Sequence, residues 1–181
     1  MSSTRATRLP PVTLILGGAR SGKSRYAECL AEAAAPAGTY CATAEAGDAE
    51  MAARIAAHRA RRGPFWRTVE APLAVPQTIA MEARRHRPLL VECLTLWLSN
   101  LLLADRDIAA ETDALCRELR RVEGPVILVA NEVGLGLVPE TPLGRRFRDE
   151  AGHLNQEVAA VADRVVFIAA GLPLMLKGDR P

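Results

Sequence analysis

Gly17-Gly-Ala-Arg-Ser-Gly22-Lys23-Ser24 has the spacing G-x-x-x-x-G-K-[ST], with an apolar run before it and a helical pattern after it. Glycines at these positions let backbone N–H groups curl around phosphate oxygens, and a helix N-terminus adds partial positive charge. Lys23 supplies a point charge to the terminal phosphates, and the Ser24 hydroxyl is a magnesium ligand in such loops. Glu92 closes a short apolar run, where phosphate-loop proteins place an acid that holds magnesium or its water shell; the alternative is a solvated carboxylate at a strand end.

His58 sits in Arg54-Ile-Ala-Ala-His58-Arg59-Ala60-Arg61-Arg62. Neighbouring arginines disfavour a second positive charge and keep the imidazole neutral, as a nucleophile must be. They would also pair with a triphosphate. The competing account is a solvated basic helix. His86 and His153 read as surface residues. Trp66 and Trp97 read as packing residues, because neither is interleaved with basic side chains. Arg145, Arg146 and Arg148 read as a salt-bridged helix start with Asp149 and Glu150, or as arginine fingers toward a nucleotide.

The elements that must position these groups alternate. Strands are expected at Val12–Leu16, Thr39–Thr43, Pro88–Glu92, Pro125–Ala130 and Arg164–Ala169. Helices are expected at Gly22–Ala35, Ala49–Arg62 with Asp48 as cap, Val75–Arg87, Leu94–Leu103, Asp107–Arg121 and Leu143–Ala162. Phe65–Glu70 reads as a polar connection, Met1–Pro11 as a mobile tail, and the residues after Ala169 as a short tail. Such alternation implies an α/β fold with a mostly parallel sheet covered on both faces. Ligands in these sheets bind beyond the carboxyl ends of the strands, where Gly17, Thr43, Glu92 and Asn131 would meet.

The chain has 181 residues, which fits one domain from residue 12 onward. With 23 basic and 21 acidic residues its formal charge is +2, which argues against a protein held to nucleic acid by phosphate contacts. Cysteines 29, 41, 93 and 116 form no C-x-x-C pair, so a zinc ribbon is not expected and buried free thiols are. No apolar run is long enough for a membrane span or a signal core, and a cytoplasmic protein is expected. Leu94–Leu103 is apolar on nearly every side and must be covered by core or by another subunit.

Together GGARSGKSRYAE, MAARIAAHRARR running into WRTVE, LLVECLTLWLSNLL, NEVGLGLVPE and RRFRDEAGHLNQEVAAVAD resemble the bifunctional adenosylcobinamide kinase and adenosylcobinamide-phosphate guanylyltransferase family, from Leu14 to about Lys177. The resemblance implies a RecA-like P-loop NTPase domain of three layers and a trimer. It implies phosphorylation of adenosylcobinamide with ATP or GTP, then GMP transfer from GTP, with Mg2+ as cofactor. GMP would pass through a histidine, and only His58, preceded here by Ala57, fills that place. By the same likeness the nucleotide contacts are Gly17, Gly18, Ala19, Arg20, Ser21, Gly22, Lys23 and Ser24, then Ala42, Thr43 and Ala44, then Arg59, Ala60, Arg61 and Arg62, then Glu70 and Glu92. Lys23 and His58 are the expected catalytic residues, and Ser24 and Glu92 the metal ligands. The alternative is a P-loop kinase of another small metabolite, with no nucleotidyl transfer.

Overall fold

The computed structural model describes residues 9–45, 56, 59, 60 and 62–179. Seven strands form one sheet in the order β3-β2-β4-β5-β1-β6-β7. They are β1 (Val12–Gly17), β2 (Gly38–Ala42), β3 (Trp66–Glu70), β4 (Leu89–Glu92), β5 (Val126–Asn131), β6 (Arg164–Ala169) and β7 (Leu172–Lys177). Every pairing is parallel except β6 with β7. Five helices lie among the described residues: α1 (Lys23–Ala34), α2 (Val75–Glu82), α3 (Leu94–Leu103), α4 (Ile108–Leu119) and α5 (Pro142–Val161).

Parallel strands buried on both faces need apolar side chains in both directions, and β1 shows why VTLIL folds this way. Leu14 and Leu16 enter the core shared with α2, α3, α4 and α5, whereas Ile15 enters the core shared with α1. The α3 helix is resolved as core along one face: Leu94, Trp97, Leu98 and Leu101 are fully buried, and the Trp97 indole N–H donates to Leu73 O at 2.9 Å.

Four expectations are corrected. Leu9–Pro11, expected in a mobile tail, belong to the fold: Leu9 is buried, and Pro11 O accepts a 2.8 Å bond from Val126 N. Phe65–Glu70 contains an edge strand, β3, whose mixed residues gave no alternation because most of its side chains are exposed. The helix expected through Arg87 ends at Glu82, and Arg87 N donates to Arg84 O in a tight turn. Pro88 disfavours helical Arg87, and stacking Arg84, Arg85 and Arg87 on one turn would bring like charges together. The expected C-terminal tail forms β7. Ala170 and Gly171 both have positive φ, 51° and 78°, as a two-residue hairpin turn that follows the sheet's twist requires. The expected helix over Ala49–Arg62 lies outside the described residues except at 56, 59, 60 and 62.

Candidate functional site

The C-terminal ends of β1, β2, β4 and β5 surround a cleft of about 720 Å3. It is lined by Ala19–Arg25, Tyr40, Ala42, Ala44, Arg59, Arg62, Glu70, Glu92, Cys93, Leu96 and Asn131.

The loop from β1 to α1 is shaped by backbone demands. Gly17 has φ 157°, and a Cβ there would stand 2.5 Å from Ile168 O, so only glycine lets β1 leave the sheet beside β6. Gly22, the residue before α1, has φ 99°. Arg20 is left-handed at φ 56°, and such alternation of backbone conformation builds an anion-binding nest. No side chain caps α1, which leaves its first N–H groups to a ligand.

Lys23 is buried, and its ammonium donates to Gly18 O at 2.9 Å. Burial pulls its pKa down, against the opposing pull of Glu92. Ser24 Oγ donates to Glu92 Oε1 at 2.8 Å. The other carboxylate oxygen, Oε2, is buried with no hydrogen-bond partner. Burial raises the Glu92 carboxyl to about 7, with the Ser24 bond and the Lys23 charge opposing. A hydroxyl and an unsatisfied carboxylate oxygen are hard donors of the type a divalent cation accepts.

That shift fixes a pH dependence. Between the ordinary 4.5 and about 7 the folded state holds a proton the unfolded state has lost, so stability falls as pH rises through this window. In metal-free protein without nucleotide, Glu92→Gln should equal wild type near pH 4. Near pH 8 it should be more stable by about 3 kcal/mol. Urea melts at both pH values check this; identical differences would contradict it.

Thr43 is fully buried and braces the site from behind. Its hydroxyl donates to Cys93 O at 2.8 Å and receives Cys93 N at 2.7 Å, locking the end of β2 to the end of β4. Asn100 on α3 adds a second brace, donating to Thr43 O at 2.7 Å and to Pro72 O at 3.0 Å. Thr43→Val leaves the Cys93 N–H unpaired in the interior, while Cys93 O keeps its 3.1 Å bond from Trp97 N, and should cost about 2 kcal/mol in chemical denaturation. A loss below about 0.5 kcal/mol would show that the brace is not used.

On the far wall Arg62 stacks 3.5 Å above the Tyr40 ring and donates to Thr68 Oγ1 at 3.2 Å. Arg59 pairs with Glu70, both largely exposed, so the pair is weak and able to exchange for a ligand. Of the expected residues, Ala19–Ser24, Ala42, Ala44, Arg59, Arg62, Glu70 and Glu92 meet in this cleft, and Gly17 shapes its loop. Thr43 stands behind it. His58 and Arg61 lie outside the described residues. Arg25, Tyr40, Cys93 and Leu96 were missed; Arg25 follows Ser24 and Cys93 follows Glu92, but an aromatic residue inside β2 and an apolar one on α3 carry no signal of facing a ligand. Arg145 is engaged by Pro139 O and Glu140 O, and Arg148 by Asp149.

A phosphate loop between β1 and α1, with the acidic end of β4 facing its serine, defines a P-loop NTPase-type α/β domain. A structural relative under that heading is the ATPase EscN of an enteropathogenic E. coli type III secretion system, with TM-score 0.56 at 13% identity over 88% of this chain and 43% of that one. The family model described as "Cobinamide kinase / cobinamide phosphate guanyltransferase" matches residues 13–176, and the chain belongs to that family. It is 56% identical over 168 residues to the Pseudomonas aeruginosa "Bifunctional adenosylcobalamin biosynthesis protein CobP", covering 92% of this chain and 97% of that one. It is 40% identical over 179 residues to the Escherichia coli "Bifunctional adenosylcobalamin biosynthesis protein CobU", covering 91% and 98%.

Proposed function

We propose that this chain performs both reactions of its family in the one cleft, phosphorylating adenosylcobinamide and then converting the phosphate to adenosylcobinamide-GDP. The observation that carries the reading is the part-buried constellation of Lys23, Ser24 and Glu92 under a phosphate loop, in a chain matched to the family along nearly its whole length.

In the first reaction the hydroxyl oxygen of the corrinoid's aminopropanol arm bonds to the γ-phosphorus of ATP or GTP. The bond from that phosphorus to the β-phosphate oxygen breaks, the nucleoside diphosphate leaves, and the hydroxyl proton passes to solvent. Lys23 and the loop N–H groups hold the phosphates in line and offset charge on the transferred group, which is most of the work phosphoryl transfer demands. Mg2+ would be held by Ser24 and Glu92, whose unpartnered Oε2 fits it, and would neutralise phosphate charge when bound. No described cluster of three His, Cys, Asp or Glu offers a larger cage, in keeping with a cation shared with substrate phosphates.

In the second reaction a neutral His58 nitrogen bonds to the α-phosphorus of GTP and pyrophosphate leaves. An oxygen of the corrinoid phosphate then bonds to that phosphorus, the N–P bond breaks, and His58 is restored. Arg59, Arg61 and Arg62 would offset the accumulating charge, and Arg59 and Arg62 already line the cleft. Glu70, Ala42 and Ala44 would contact the nucleotide, with Ala60 on the same segment as the arginines.

We also read the working form as a cytoplasmic trimer that binds no nucleic acid. Exposed Leu172, Leu174 and Leu176 along β7, with Leu135, Leu137 and Val138 in the loop before α5, support burial against another copy. No described helix is long and apolar enough to cross a membrane. Sedimentation giving the mass of one chain would remove the trimer. Incubating the protein with adenosylcobinamide, GTP and magnesium should yield first the phosphate and then the GDP ester by chromatography. A phosphate product that never advances would reduce the protein to a kinase.

A further inference from the structure

At the opposite end of the sheet from the phosphate loop lies a second cavity, of about 940 Å3, within the range of small-molecule sites. Its walls are largely apolar, including Leu9, Pro11, Ala34, Pro36, Val122 and Pro125. Arg164, the first residue of β6, lines it.

Arg164 is only 7% exposed, yet its Nε and Nη1 are buried without hydrogen-bond partners, and it forms no ion pair with a described residue. Beside it in register on β1 is Thr13, fully buried, whose hydroxyl is likewise unpartnered. Neighbouring groups do not supply the missing charge. Asp163 directs a carboxylate oxygen to Val12 N at 2.9 Å. Tyr26, close enough to feel the Arg164 charge, has its pKa raised chiefly by burial and stays a neutral phenol. A buried charge without a partner is costly, and natural interiors rarely keep one without a use.

We propose that this cavity binds an organic monoanion, an apolar body carrying one carboxylate or similar acid group, with Arg164 as its counter-charge. The apolar walls ask for the body. The charge of the lining sets the valence: Arg85, Arg164 and Glu123, its fixed charges, sum to one positive charge, which suits a singly charged acid and opposes a polyphosphate. The site is distinct from the nucleotide cleft, since Thr13 and Gly17 are separated along β1 by about 13 Å at 3.3 Å per residue. It does not depend on the proposed corrinoid reactions.

Titration calorimetry with octanoate tests it, in the presence of GDP to occupy the phosphate loop. Octanoate should bind wild type once per chain and unaffected by GDP. Octanamide, equally apolar but uncharged, and inorganic phosphate, charged but without an apolar body, should each bind at least tenfold more weakly. Arg164→Met should lower octanoate affinity at least tenfold; if that variant fails to fold, Ala35→Trp, which fills the cavity and keeps Arg164, should do the same. Failure of octanoate to bind, displacement by GDP, equal binding of octanamide, tighter binding of phosphate, or unchanged affinity in the folded variants would each overturn the proposal.

Discussion

Lys23→Ala should lower phosphorylation of the corrinoid on the order of 10^3-fold while leaving the fold intact. The buried ammonium lies inside the phosphate loop, donating to Gly18 O at 2.9 Å and facing the Glu92 carboxylate. In a desolvated site a preplaced positive charge is worth far more than in water, and removing one such group typically costs two to three orders of magnitude in rate. Alanine at this position ends the donation to Gly18 O but buries no new charge, so circular dichroism and the melting temperature should stay close to wild type. Guanylyl transfer should fall as well, because the described residues form a single cleft at the phosphate loop and the GTP triphosphate would occupy the same loop. Separate initial rates for the two reactions check both statements. Transfer intact in a protein that has lost phosphorylation would show two nucleotide sites.

His58→Ala should separate the activities in the opposite sense. Phosphorylation should survive within a few-fold, and formation of adenosylcobinamide-GDP should fall by at least on the order of 10^4-fold, as loss of a covalent nucleophile does. The role of His58 comes from the family resemblance, and its neighbour Arg59 lines the cleft beside Glu70, which supports it. Both products appearing at wild-type rates would make His58 structural.

The sequence carried the phosphate loop plainly because its motif residues answer backbone and charge requirements: Gly17 for the approach to Ile168, Gly22 for φ 99°, Lys23 for the ammonium turned onto Gly18 O, and Ser24 for the bond to Glu92. Glu92 was legible from the apolar run it terminates, and the structure adds its bond to Ser24. Buried parallel strands read easily, since both faces demand apolar residues. β3 and β7 did not, because edge strands have little to bury and so show no periodic pattern toward a core. The turn at Ala170-Gly171 was the available signal for β7. Thr43 was expected at the nucleotide for its position after β2, but its hydroxyl is consumed by Cys93, a long-range pairing that no local spacing announces. Asn100, bridging two loops from α3, was silent for the same reason.

The most direct measurement takes the purified protein with magnesium and GTP labelled at the α-phosphate, denatures it, and follows the label. The account predicts label retained on the protein, released by acid and stable to base as an N–P bond should be, and absent in His58→Ala. No retained label in a folded protein that binds GTP would contradict the covalent transfer and leave a P-loop kinase.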